Sequence, residues 1–231
     1  MHTTKSVLLL TGGFGALGQI VLAVALEKGY RVAIMGQGEL TDRLAGNPDC
    51  LQLQADLSNE QQVTDGIAAI FAHWHRIDAL VNVAGSFAFS AFEESKLSLW
   101  EKMFQSNVLS AVVTARAVLP YFQKEGKGCI VFIGAMAAKK GMAGMSAYTA
   151  TKSALARLSE ALAEEVKSAN ILVHTVLPTV IDTPANRAAM PDADTHTWQS
   201  PVDIADAILV LLERHNMENT GALLPIAGLI A

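Results

Sequence analysis

"SVLLLTGGFGALGQIVLAVALEKGYRVAIMGQ", residues 6–37, decides the fold of this chain. An apolar run, "SVLLL" (6–10), leads directly into a glycine-rich turn. A segment of helical period follows over 15–28, and then a second apolar run, "RVAIM" (31–35). Both runs are apolar at successive positions, so each would bury both faces of a strand, as the strands of a parallel sheet do. The turn, "TGGFGALG" (11–18), places glycines at 12, 15 and 18. Gly12 permits a tight turn, while Gly15 and Gly18 let the backbone approach a pyrophosphate at the helix N-terminus, where N–H groups and the helix dipole favour an anion. Phe14, Ala16 and Leu17 complete the loop as candidate nucleotide contacts.

The same alternation continues outward. "CLQLQA" (50–55), "DALVNVA" (78–84), "GCIVFIG" (128–134), "ILVHTVL" (171–177) and "ALLPIA" (222–227) read as further strands, which makes seven. Helical period fills 59–73, 97–124, 147–168 and 201–214. Strands alternating with helices predict a doubly wound α/β fold of the Rossmann type: a mostly parallel seven-stranded sheet with helices on both faces. Its ligand should lie beyond the carboxyl ends of the strands. No repeat or Pro/Ser-rich linker interrupts the pattern, so residues 1–231 are expected to form one domain.

Composition and charge argue against several classes. Hydrophobic residues make up 51% and charged residues 17%, which argues against disorder. A net charge of −5 gives no electrostatic reason to expect nucleic acid as a partner. Cys50 and Cys129 are far apart, and His73 and His75 would face apart on a helix, so no metal is expected. With no run near the ~18 apolar residues of a membrane span and no signal-like N-terminus, a cytoplasmic location without membrane contact is expected.

Two further places carry chemistry. A carboxylate at the end of the second strand would accept from a ribose 2′-OH and repel a 2′-phosphate. Gly36 and Gln37 stand there instead, with Arg43 nearby, so the cofactor is read as NADP or NAD with the lean toward NADPH. Tyr148 and Lys152 are four residues apart and share a helix face. A nearby ammonium is expected to favour the phenolate, making Tyr148 a proton donor and acceptor for substrate.

With these motifs the chain resembles the short-chain dehydrogenase/reductase family along nearly its whole length. The carriers are "TGGFGALG", Asp56 in "ADLS", "NVAG" (82–85), Asn107 in "QSNV", "YTATK" (148–152) and "LPTVIDTP" (177–184). The resemblance implies that Asp56 and Leu57 meet the adenine end, and that Ala84 and Gly85 line the cofactor. It further implies that Pro178, Val180 and Thr183 lie by the nicotinamide carboxamide, that Lys152 reaches the ribose hydroxyls, and that Asn107 shapes a helix relaying protons past Lys152. Thr179 replaces the glycine usual after that proline.

A larger departure is Ala135, thirteen residues before Tyr148, where the family's usual serine would help hold a developing oxyanion. Losing one such donor typically costs about 10²–10³ in rate. Dihydropteridine reductases keep the tyrosine and lysine and lack that serine. The chain is similar to them in "VAGSFAFSAFEES" (83–95), "GAMAAKKGMAGMSAYTATK" (134–152) and "LPTVIDTPANRAAMPDADTHTWQSP" (177–201). A quinonoid dihydropterin spreads incoming charge over a conjugated ring and would need fewer donors. Gly36, where the animal enzymes carry an aspartate, and Asn107 fit that likeness less well. The alternatives are a carbonyl or 3-oxoacyl reductase that tolerates the missing serine, and a non-catalytic nucleotide sensor.

Several other features have two readings each. Segment 184–200 reads as irregular, and the resemblance implies a substrate lid there, in which Trp198 is either a stacking platform or a packing anchor. Lys139 and Lys140 would attract an anionic substrate or simply be solvated, and Met142, Met145 and Met190 would line an adaptable pocket or pack in a core. Helices 97–124 and 147–168 are more apolar than one sheet contact requires, and the family pairs such helices across a two-fold axis. A homodimer or homotetramer through them is expected.

Overall fold

The computed structural model describes residues 5–38, 46–213 and 220–226. Seven strands form one sheet in the order β3-β2-β1-β4-β5-β6-β7. They are β1 (Val7–Thr11), β2 (Arg31–Gly36), β3 (Cys50–Gln54), β4 (Ala79–Asn82), β5 (Gly128–Ile133), β6 (Ile171–Leu177) and β7 (Leu223–Pro225). Every pairing is parallel. Among the described residues, the α-helices are α1 (Ala16–Glu27), α2 (Glu60–Trp74), α3 (Leu97–Phe104), α4 (Ser110–Glu125), α5 (Ser146–Val166), α6 (Pro184–Ala189) and α7 (Pro201–Glu213).

The doubly apolar strands have the predicted cause. Val7 and Leu9 point into one core with Ile130 and Phe132, closed by α2, α4 and α5. Leu8 and Leu10 point into the other with Cys129 and Val131, closed by α1 and α7. Phe122 on α4 is fully buried, and truncating it to alanine would cost about 3–5 kcal/mol. A β-carbon at Gly128 would lie 2.3 Å from its ring, so that glycine makes its seat. Among the described residues, no helix is long and apolar enough to cross a membrane.

Two expectations need correction. The helix predicted over 97–124 is α3 and α4 joined through a π-helical turn, Gln105–Leu109. Segment 184–200 is not irregular throughout. Thr183 caps α6 by accepting from the Asn186 N–H with Pro184 at its first position, and Asp194 caps a 3₁₀ turn, Thr195–Thr197. The expected ends at 214 and 227 lie outside the described residues, as does Arg43.

Parallel register brings the strand ends to one edge. Thr11 pairs with Met35 on one side and Asn82 on the other, Asn82 with Phe132, and Ile133 with Val176. The chain winds outward in both directions from β1 and β4, so the crevice between their ends is the switch point where such sheets bind ligands.

Candidate active site

The glycine turn sits at that crevice. Gly12 has φ +69°, and a β-carbon there would lie 2.6 Å from the Ala84 nitrogen. Gly18 is under α1's own turn, where a β-carbon would meet the Gly12 carbonyl oxygen at 2.2 Å. Gly15 is exposed at the N-cap of α1, with no acidic residue in the first turn and no side chain capping it. Ala16 beside it is exposed, while Leu17 turns into the core. The open cradle and uncapped helix N-terminus fit a dinucleotide pyrophosphate.

At the end of β2, Gln37 is exposed and Gly36 has φ +154°. Phe14 packs over this turn; its ring atoms lie 3.6 Å from where a β-carbon of Gly36 would be. The Gln54 amide clasps Gly38, donating to its carbonyl and accepting from its N–H. Among the described residues, positions 36–38 at the end of β2 carry no carboxylate. Asp56 lies half-buried after β3, with Leu57 beside it. Its carboxylate accepts from the Ser58 hydroxyl at 2.7 Å and the Ser58 N–H at 2.9 Å, which hold its pKa below the usual range.

Asn107 is the buried hub of the crevice. Its carboxamide oxygen accepts from the Ser86 N–H at 2.7 Å, and its nitrogen donates to the Ser86 carbonyl and the Thr151 hydroxyl, each at 3.0 Å. The loop after β4 is thereby tied to α5 from within the π-turn, a feature often found at functional sites. A β-carbon at Gly85 would reach the Asn107 oxygen at 2.7 Å, so this loop runs against the hub only because residue 85 is glycine.

Lys152 is buried, and its Nζ donates to the Ile133 carbonyl at 2.7 Å. Burial among apolar neighbours brings its pKa down from 10.5 to about 8. Tyr148 is half-buried on the same helix face, with Lys152 Nζ 5.9 Å from its ring centroid and the Phe87 ring edge-on at 5.0 Å. Burial pushes its phenol up from 10.0 to about 12. The expected pull of the ammonium toward the phenolate does not set the direction of the shift. Desolvation dominates both groups, and Lys152 is engaged with a carbonyl rather than the phenol.

Ala135 is 7% exposed, in extended backbone before a 3₁₀ turn, Met136–Ala138. That turn is fixed to α5 by the Ser153 hydroxyl, which donates to the Ala138 carbonyl at 3.1 Å. Thr11 and Ile133 end β1 and β5 at this edge, and Phe87, Phe89 and Met142 are exposed.

The model of the short chain dehydrogenase family matches residues 6–194. This chain belongs to the short-chain dehydrogenase family. It is 30% identical to 2,5-dichloro-2,5-cyclohexadiene-1,4-diol dehydrogenase LinX of Sphingobium indicum, over 96% of this chain and 94% of that one. It is 29% identical to the 3-oxoacyl-[acyl-carrier-protein] reductase of Bos taurus, over 94% of each. Among solved structures, that of ElxO with NADP bound superposes with TM-score 0.87 at 26% identity, covering 96% of this chain and 97% of that one. As a member of this family the protein is an NAD(P)-dependent oxidoreductase. None of these relatives bears the name of a dihydropteridine reductase, so the narrower likeness rests on the quoted sequence segments alone.

This short-chain dehydrogenase gathers nearly all the predicted candidates along one edge of the sheet. Pro178 is buried, and its carbonyl accepts from the Met136 N–H, joining the loops after β5 and β6. Val180 is 39% exposed. The Thr183 hydroxyl oxygen is engaged as the cap of α6, which leaves its O–H as the group for a ligand. Lys139, Lys140 and Met190 are exposed, while Met145 and Trp198 are half-buried. Motif reading missed Ser86 and Thr151, which hold Asn107, and the Ile133 carbonyl, which holds Lys152. It also missed Phe87 against Tyr148, although the "SFAF" run (86–89) displays the aromatic pair.

Proposed function

We propose that this dehydrogenase is an NADPH-using reductase of a flat, conjugated heterocycle of the quinonoid dihydropterin class, with Tyr148 as proton donor. The observation that supports it is Ala135: a buried methyl group holds the position where an oxyanion donor would stand. A substrate that concentrates charge on one oxygen would be poorly served there. A ring that delocalises the charge would not, and exposed Phe87 against Tyr148, with exposed Phe89 against Gly144, suits a flat ring.

In this reading Gly12, Phe14, Gly15, Ala16, Leu17 and Gly18 hold the pyrophosphate. Gly36, Gln37, Asp56 and Leu57 surround the adenosine, and Ala84, Gly85, Pro178, Val180 and Thr183 frame the nicotinamide. NADPH supplies the hydride when bound. Burial keeps the Tyr148 phenol protonated at neutral pH, as a donor must be. Lys152 holds the ribose and, when protonated, steadies the phenolate after the proton has left. Asn107 positions both by tying α5 to the Gly85 loop.

A second reading, an ordinary carbonyl or 3-oxoacyl reductase, is favoured by the names of the relatives. The deciding experiment follows NADPH and NADH oxidation with quinonoid dihydropterin and with a panel of ketones and 3-oxoacyl thioesters. Turnover of the pterin supports the first reading, and turnover of ketones or thioesters alone establishes the second.

The proposal takes residues 1–231 as one domain acting in the cytoplasm as a homodimer or homotetramer. Leu97, Phe104 and Leu109 are 80%, 45% and 42% exposed along α3 and the π-turn, beside α5. That face supports pairing of the two helices with a second copy.

A further inference from the structure

One residue that was given no role in the sequence analysis fastens the loop that follows β6. Gln199 lies where the chain returns from the lid, paired with Ile181 in an isolated parallel bridge. Its backbone N–H donates to the Val180 carbonyl at 2.8 Å, and its own carbonyl accepts from the Asp182 N–H at 2.9 Å. Its side-chain oxygen accepts from the Thr179 N–H at 2.7 Å. Three hydrogen bonds from a single residue therefore span 179–182. Above this base the lid has its own supports: Arg187 pairs bidentately with Asp182 at 2.6 and 2.7 Å, and the Asn186 amide donates to the Ile181 carbonyl at 2.8 Å.

We propose that Gln199 is a positioning residue for the nicotinamide half of the cofactor, fastening the base of the lid so that Val180 keeps its place. The inference rests on the reading that places Val180 beside the nicotinamide. The backbone pairing is independent of the side chain in any residue but proline, whereas the bond to Thr179 belongs to the side chain and can be removed. Thr179 is exposed and is not glycine, so its N–H is held in direction by the Gln199 oxygen rather than by burial. The Val180 carbonyl has a second lone pair for a ligand donor after accepting from Gln199.

The test compares wild type, Gln199→Leu and Gln199→Glu in affinity for NADP and for 2′-phospho-ADP-ribose, which lacks the nicotinamide. Gln199→Leu should bind NADP roughly three- to tenfold more weakly, the scale of one lost hydrogen bond, with 2′-phospho-ADP-ribose unchanged. The KM for NADPH should rise by the same factor with kcat little altered. Gln199→Glu keeps an acceptor for Thr179 and should restore wild-type values. Equal loss for both nucleotides, no loss for either, or failure of glutamate to restore binding overturns the proposal. If wild type binds NADP no more tightly than 2′-phospho-ADP-ribose, the placement of the nicotinamide is itself wrong.

Discussion

Replacing Lys152 with methionine removes a buried charge while keeping most of the side-chain volume, and the structure sets the scale of the effect. Burial takes the lysine pKa from 10.5 to about 8. At 1.36 kcal/mol per pKa unit, holding the ammonium inside costs the folded, cofactor-free protein about 3 kcal/mol near pH 7. Methionine escapes that cost but gives up the 2.7 Å bond to the Ile133 carbonyl, a loss of about 1–2 kcal/mol. Lys152→Met should therefore be more stable than wild type by about 1–2 kcal/mol near pH 7, although it is catalytically impaired. The pH dependence has a definite sign. The folded pKa lies below the unfolded one, so between about 8 and 10.5 the unfolded chain holds more protons and wild-type stability rises with pH. The methionine advantage should shrink through that window and reverse toward its top. Tyr148, raised to about 12, lowers the stability of both proteins above about pH 10 and cancels from the difference. Urea unfolding of both cofactor-free proteins near pH 7 and about pH 9.5 measures the effect. A difference that does not change with pH, or a methionine variant less stable at pH 7, would refute a buried, depressed Lys152.

Cofactor choice should respond at Gln37 rather than Gly36. Gly36 has φ +154°, so an aspartate there would be strained, whereas exposed Gln37→Asp should move the NADH/NADPH ratio of kcat/KM at least tenfold toward NADH, about 1.4 kcal/mol; an unchanged ratio counts against that placement of the ribose. Tyr148→Phe should lower kcat far more than it weakens NADP binding, measured by steady-state kinetics and titration, and equal turnover would remove the phenol from the mechanism. Phe104→Glu, on the face exposed along α3, should convert the dimer or tetramer to monomer in light scattering. A wild type that is already monomeric at micromolar concentration contradicts the pairing.

Local patterns made much of this molecule legible. Strands such as Val7–Thr11 and Ile171–Leu177 are apolar at nearly every position because helices cover both faces, and that leaves a plain signature. The spacing of Gly12, Gly15 and Gly18, and of Tyr148 and Lys152, is likewise a matter of turn and helix geometry. What escaped was set by tertiary contact. The π-turn lies where Asn107 reaches Ser86 and Thr151, residues distant in sequence. The four-residue spacing showed Tyr148 and Lys152 together but not their burial, so the desolvation that raises the phenol and lowers the ammonium was not legible. Nor does composition reveal that Gly36 adopts a conformation aspartate would resist.

The substrate claim is tested most directly by Ala135→Ser, assayed for kcat/KM with quinonoid dihydropterin and with a simple ketone. Serine at this buried position restores one hydroxyl with little added volume. The account predicts that wild type reduces the pterin efficiently and that serine changes that rate little, while ketone reduction improves by up to about 10²-fold. Efficient ketone reduction by wild type with no activity on dihydropterin would contradict it.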